Sequence, residues 1–147
     1  MPAKGIDPSQ IPERLHRMFY DNPIVDNFEM EVVAHAPGTS VLRYPYKKEF
    51  TQYQGAVQGG IVAAYADAAV AVAMRSLIPE DRDMVTTDLH VQFIRPITTG
   101  PIIARGDVVH RGKTLMLGTA TVEVEGGAIC ARCTATYMIV DPRGLKK

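Results

Sequence analysis

Gly59-Gly60-Ile61-Val62-Ala63-Ala64-Tyr65-Ala66-Asp67-Ala68-Ala69-Val70-Ala71-Val72-Ala73-Met74 contains two side chains with a polar atom, Tyr65 and Asp67. The glycine-rich segment from Gln54 to Gly60 opens a helix, which runs to about Leu77. Pro79 follows and cannot continue it. A helix that is apolar all round is buried on most sides. Its many alanines make it thin, so a sheet can wrap closely around it.

The flanking sequence supplies that sheet. Phe28 to Ala36 and Thr39 to Phe50 read as strands joined at Pro37-Gly38, and Pro45 marks the second as an edge strand or the site of a bulge. After the helix, strands are expected over Asp83 to Pro96, Pro101 to His110, Thr114 to Glu125 and Ala128 to Val140. Thr98-Thr99-Gly100, Arg111-Gly112-Lys113 and Gly126-Gly127 are the turns between them. Thr87, Leu89, Val91 and Phe93 alternate with Thr86, Asp88, His90 and Gln92, so the two sets should lie on opposite faces. Short turns predict antiparallel neighbours. At the N-terminus, Ile11, Leu15, Met18 and Phe19 recur at helical spacing, with Pro12 in the first turn and Asp21-Asn22-Pro23 as the stop. Residues 1–10 should be loose. The expected fold is α+β: about six antiparallel strands enclosing one long helix, in a single domain over residues 1–147.

Asp67 is the anomaly in this pattern. Aspartate is a poor helix-interior residue and is rarely buried without a partner. Its neighbours one turn away, Ala63, Ala64, Val70 and Ala71, carry no charge. An uncompensated carboxylate there would cost several kcal/mol. The expense points to chemistry, although a face open to water, or hydrogen bonds from a neighbouring loop, would also accommodate it. Gly59-Gly60 adds a second feature: free N–H groups at a helix N-terminus favour negative charge and can hold a forming oxyanion. A Gly-Gly pair is also a common turn or tight packing contact. Gly59 and Asp67 are separated by about 12 Å along the helix axis, so a ligand reaching both must be extended.

The remaining composition excludes several classes. The 147 residues have a formal net charge of zero and 46% hydrophobic residues. No basic excess exists to grip nucleic acid. The Gly59–Met74 run is shorter than the ~20 residues of a bilayer span, and the first residues lack the apolar core of a signal peptide. A cytoplasmic location without membrane attachment is expected. Cys130 and Cys133 form a C-x-x-C spacing inside a strand, where an odd offset points the sulfurs to opposite faces, and no second pair completes a zinc site. They read as two small hydrophobes rather than a redox or metal pair. The four histidines form no ligand spacing, so no metal is expected.

Gln52-Tyr53-Gln54-Gly55-Ala56-Val57-Gln58-Gly59-Gly60, followed by Asp67, and Thr86 to Pro96 ending in Phe93-Ile94-Arg95-Pro96, together resemble the PaaI-like hotdog thioesterases of the phenylacetyl-CoA type. The likeness covers about residues 22–140. It implies the hotdog fold and hydrolysis of an acyl-CoA thioester, without cofactor, in a site shared between two subunits of a homodimer or homotetramer. By position, Asp67 is the general base or nucleophile, and Gly59 offers its N–H to the thioester oxygen. Thr86 would come from the opposite subunit to orient water, and the Thr86–Pro96 strands would pair across the twofold axis. Gly60, Arg95, Arg111 and Lys113 would contact CoA, although arginines and lysines at strand ends are more often plain solvated charges. Two positions depart from the family pattern. Gln58 stands where the family has His, and Gln52 where it has Asn. Glutamine donates a hydrogen bond but cannot shuttle a proton near neutral pH. Two other readings remain: an acyl-CoA-binding or sensing protein without catalysis, and a hotdog dehydratase or hydratase. The last lacks the histidine it would need. Tyr53, Tyr65 and Phe93 could line an acyl pocket or belong to the core.

Overall fold

The computed structural model describes residue 9 and residues 13–145. The expected loose segment therefore lies almost wholly outside the described residues, as do Ile11 and Pro12 of the first predicted helix. Helix α1 (His16–Tyr20) follows a 3₁₀ turn over Glu13–Leu15, and α2 (Pro23–Phe28) comes directly after it. Asn22-Pro23 does stop α1, but it also starts α2. The Asn22 side chain accepts from the Ile24 N–H, and Pro23 fills the first turn, where its missing N–H costs nothing. The strand expected from Phe28 therefore starts later, after Glu29 turns the chain with a φ of 51°.

The strands are β1 (Glu31–Ala36), β2 (Thr39–Tyr44), β3 (Asp83–Phe93), β4 (Ile102–Arg111), β5 (Leu115–Val124) and β6 (Ile129–Val140). They form one antiparallel sheet in the order β1-β2-β4-β5-β6-β3. Strand β2 stops before Pro45 and lies inside the sheet, not at its edge. Strand β3 does not pair with β4, its neighbour in sequence. The connection through Pro96 and Ile97 crosses the start of the long helix, where the Val57 N–H donates to the Ile97 carbonyl, and β3 docks on β6 at the far edge.

That long helix, α3 (Gly59–Arg75), packs against the sheet, with Val62, Tyr65, Ala66, Ala69, Val70, Val72, Ala73 and Met74 buried. Its approach is unusually close at Ala69. A Cβ on Gly106 of β4 would fall 2.2 Å from the Ala69 carbonyl oxygen. That same oxygen accepts a 2.6 Å hydrogen bond from the buried Ser40 hydroxyl of β2. Small residues on both surfaces thus bring helix and sheet backbones together, as the alanine-rich composition predicts.

The alternation read along β3 breaks at one place. Thr86 pairs with Tyr137 and Asp88 pairs with Thr136, so Thr87 is an extra residue in a bulge. Before the bulge the inward face holds Thr86; after it, Leu89, Val91 and Phe93 lie opposite the buried Ala135, Cys133 and Ala131. Thr86 therefore shares a face with Leu89, Val91 and Phe93 instead of opposing them. Re-aiming one side chain in this way is what a bulge does.

Candidate active site

Asp67 sits half-buried midway along α3. Thr86 Oγ1 donates to its carboxylate at 3.1 Å, and the Tyr137 hydroxyl donates both to the carboxylate and, at 2.9 Å, to the Asp67 main-chain carbonyl. The two donors are cross-strand partners in the β3–β6 ladder. Among the described residues the carboxylate forms no ion pair; its negative charge is held by two neutral hydroxyls. Burial, with the Asp67 charge adding to it, pushes the Tyr137 hydroxyl far above the usual tyrosine range. Tyr137 therefore stays protonated, and a donor, beyond the pH at which an ordinary tyrosine ionises. The same two causes, burial first, push the Cys133 thiol up to about 11.

Tyr137 escaped the sequence reading. Its signal was present: Ala131, Cys133, Ala135 and Tyr137 form the inward face of β6, and a tyrosine there needs a partner for its hydroxyl. Thr86, which by resemblance comes from the opposite subunit to orient water, hydrogen-bonds the Asp67 of its own chain. The Thr87 bulge is the reason.

At the other end of β3 lies a crevice of about 330 Å³ lined by Gln52, Val57, Gly59, Phe93, Arg95 and Ile97, among others. The Thr51–Val57 bridge and the tight turn at Gly55 hold Gln52 beside the helix start, with the Gln52 N–H on the Ala56 carbonyl. Gln58 caps α3: its Oε1 accepts from the Gly60 N–H at 2.7 Å and the Ile61 N–H at 3.3 Å. Both bonds leave out the Gly59 N–H, which is the donor proposed by resemblance. The Gly60 N–H, by contrast, already has its acceptor. The Phe93 ring covers Gly59 so closely that a Cβ there would stand 3.3 Å from its Cζ.

The chain does not by itself bring Gly59 and Asp67 together. Gly59 lines the crevice at the Phe93 end, while Asp67 lines two other cavities, and neither of those includes Gly59. The proposed CoA contacts also separate. Arg95 lines the Gly59 crevice and donates to the Ile129 carbonyl at 2.7 Å, whereas Arg111 and Lys113 occupy the β4–β5 hairpin at the opposite end of the sheet. Of the three aromatics, Phe93 reaches the crevice. Tyr65 stacks on Tyr44 in the core at 4.0 Å between ring centroids, and Tyr53 is 95% exposed. Cys130 and Cys133 are buried free thiols within the core, and the described residues hold no group of side chains suited to a metal ion.

Residues 54–131, just over half of the chain, match the family model of the thioesterase superfamily. The chain belongs to the thioesterase superfamily. A protein of Halobacterium salinarum that carries a provisional esterase name is 30% identical over 141 residues, covering 92% of this chain and 91% of its own. The solved structure of a thioesterase family protein from Silicibacter pomeroyi superimposes with a TM-score of 0.81 at 29% identity, over 88% of this chain and 97% of that one. A mutant of the phenylacetic acid degradation protein PaaI from Thermus thermophilus gives 0.72 at 24% identity, over 80% and 98%, and shares the fold. The sheet wrapped on α3 is thus the hotdog fold, and the Gly59 turn, Asp67 and the whole of β3 lie within the matched residues. Among the described residues no helix is long and apolar enough to cross a membrane.

Proposed function

We propose that this superfamily member hydrolyses an acyl-CoA thioester, with Asp67 as the carboxylate that activates water or attacks the carbonyl. The observation that carries the reading is a half-buried helix carboxylate, without an ionic partner among the described residues, fixed by Thr86 and Tyr137 at the boundary of two cavities. Neutral donors occupy only part of the carboxylate and leave a lone pair that can accept a proton from water, as a base requires. The Gly59 N–H at the start of α3 supplies the complementary donor for the oxyanion.

The two halves meet only between copies. Among the described residues β3 has a free edge, and Leu89, Phe93 and Ile94 are exposed large hydrophobics along and just beyond it. Pairing two β3 edges antiparallel about a twofold axis lays the Thr86 end of one strand beside the Phe93 end of the other. The Gly59 crevice of one protomer then faces the Asp67 of its partner. Hotdog thioesterases generally form oligomers, and a homodimer is the smallest assembly that completes this site; a homotetramer contains it twice.

Thiol release from a panel of CoA esters tests the activity. Wild type should turn over at least one ester, and Asp67→Asn should lose about 10²–10⁴-fold in kcat while staying folded. Equal rates in the two proteins would remove Asp67 from the mechanism. One observation favours a second reading, acyl-CoA binding without hydrolysis: position 58 is a glutamine whose side-chain oxygen caps α3, and an amide carries no titratable proton. Thioester binding with no thiol release from any ester would favour it.

A further inference from the structure

Asp67 lines two cavities of opposite character. One, of about 350 Å³, is polar and carries charges of both signs from Arg17, Asp21, Arg75 and Asp83. The other, of about 240 Å³, lies between α3 and the α1–α2 segment, with Ile24, Val25, Phe28 and Met30 on its walls. Among the described residues that line this second cavity, Asp67 is the one that carries a charge.

We propose that the second cavity is the acyl subsite and takes an uncharged apolar acyl group: one aromatic ring on a short linker, or a chain of about six to eight carbons. This rests on the thioester reading above. Its floor is a single face of α3, formed by Ala64, Asp67, Ala68, Ala71 and Val72 at the spacing of successive helical turns. Ala64, Ala68 and Ala71 are only half-buried although the helix packs against the sheet along its length. Larger side chains there would fill the space and pack better, so the alanines keep it open. An acyl carbon chain lying on this floor has its thioester carbon at Asp67, where the apolar cavity meets the polar one. Water then reaches the reacting centre from the polar side, while the acyl group stays dry.

Size sets the class. An apolar cavity of about 150 Å³ is enough for benzene. The space here, about 240 Å³, admits a substituted ring or a medium chain but not a long one. The described lining residues include no cation to pair with a carboxylate at the far end of an acyl group, so an uncharged one fits better. One polar group remains. Tyr44 lines the cavity, is 1% exposed, and its hydroxyl has no partner among the described residues. It offers a single donor to an oxygen carried by the acyl group.

Calorimetric titration with thioether analogues, which cannot be hydrolysed, tests the subsite separately from catalysis. S-octyl-CoA should bind wild type about tenfold or more tighter than S-ethyl-CoA, because the longer chain removes more apolar area from water. S-hexadecyl-CoA should gain nothing further. Ala68→Leu, or Ala71→Leu should the first fail to fold, should cut the octyl-over-ethyl preference at least about fivefold by filling the floor. No octyl preference in wild type, or an undiminished one in the folded variant, would overturn the proposal. An octyl preference in a protein that releases thiol from no ester would sink hydrolysis while leaving the subsite standing.

Discussion

Thr86 and Tyr137 face each other across the β3–β6 ladder, and both donate to the carboxylate of Asp67. Tyr137 holds two oxygens of that residue, the carboxylate and the main-chain carbonyl, and is itself largely buried. It fixes where the carboxylate points. Tyr137→Phe keeps the ring and removes the hydroxyl, so the carboxylate gains freedom while the fold keeps its packing. The expected result is a fall of about tenfold or more in kcat with a smaller change in KM, since lost orientation weakens the transition state more than substrate binding. Thr86→Ala removes a single, more exposed bond and should cost less, on the order of 1 kcal/mol of transition-state stabilisation. Steady-state kinetics on one ester rank the two variants. The reverse order would show that Thr86 is the main positioning group.

The contact between α3 and β4 makes a stability prediction independent of function. A methyl group on Gly106 would lie 2.2 Å from the Ala69 carbonyl oxygen, and the obstruction is backbone, which cannot rotate away. Gly106→Ala must push the helix off the sheet and disturb the Ser40–Ala69 hydrogen bond. Overpacking of this kind costs about 1–3 kcal/mol, and the rigid neighbour places it at the upper end. Chemical denaturation should show a lowered midpoint. Gly126→Ala makes a useful contrast. Nothing crowds that site, but its φ of +74° strains an L-residue, so the loss there should be about 1 kcal/mol.

Stability should form a plateau with respect to pH. On the alkaline side, burial pushes the Cys133 thiol up to about 11 from its ordinary 9.0 and the Tyr65 hydroxyl up to about 12 from 10.0. Above pH 9 the unfolded chain loses the Cys133 proton while the folded chain keeps it. Stability is therefore fully present below pH 9 and declines as pH rises toward 11, with Tyr65 extending the decline toward 12. Cys133 alone is worth on the order of 2–3 kcal/mol across that window. On the acid side, partial burial holds the His35 imidazole below its ordinary 6.5, and its Nε2 has no hydrogen-bond partner among the described residues. Its stabilising contribution is present above pH 6.5 and lost as pH falls. Urea midpoints measured across pH should be flattest between about 6.5 and 9. Cys133→Ala should delay the alkaline decline until the tyrosine window.

The helix and its carboxylate were legible because both break ordinary composition. An alanine-valine run belongs against the core of a small domain, and an aspartate inside it stands out from that pattern. Thr86 is a candidate by resemblance alone, and its bond to the Asp67 of its own chain is not readable from the alternation. The Thr87 bulge leaves no mark on the alternation, and a single inserted residue reverses which side chains face inward. Tyr137 stayed hidden because an aromatic on the inward face of a strand reads as ordinary core. Asn22-Pro23 was read as a stop, although the same pair caps the next helix. The position of β3 at the sheet edge depended on where its connection crosses α3, a long-range contact that turn chemistry does not encode.

A shared site makes a quantitative prediction about mixed assemblies. Gly59→Val should close the crevice at the start of α3, because a branched side chain there meets the Phe93 ring, and Asp67→Asn removes the carboxylate at the other end of the site. Each variant alone should be nearly inactive. In a hybrid dimer, one site joins the two defects, while the other joins the intact Asp67 of the first variant to the intact Gly59 of the second. Random mixing makes about half the dimers hybrid, each with one working site of two, so refolded mixtures should recover about a quarter of wild-type activity. Were each protomer to hold a complete site of its own, every site in the mixture would carry a defect and nothing would be recovered. The mixing experiment therefore separates the edge-to-edge arrangement of β3 from any in which Asp67 acts with the Gly59 of its own chain, and it does so without knowledge of the natural acyl group.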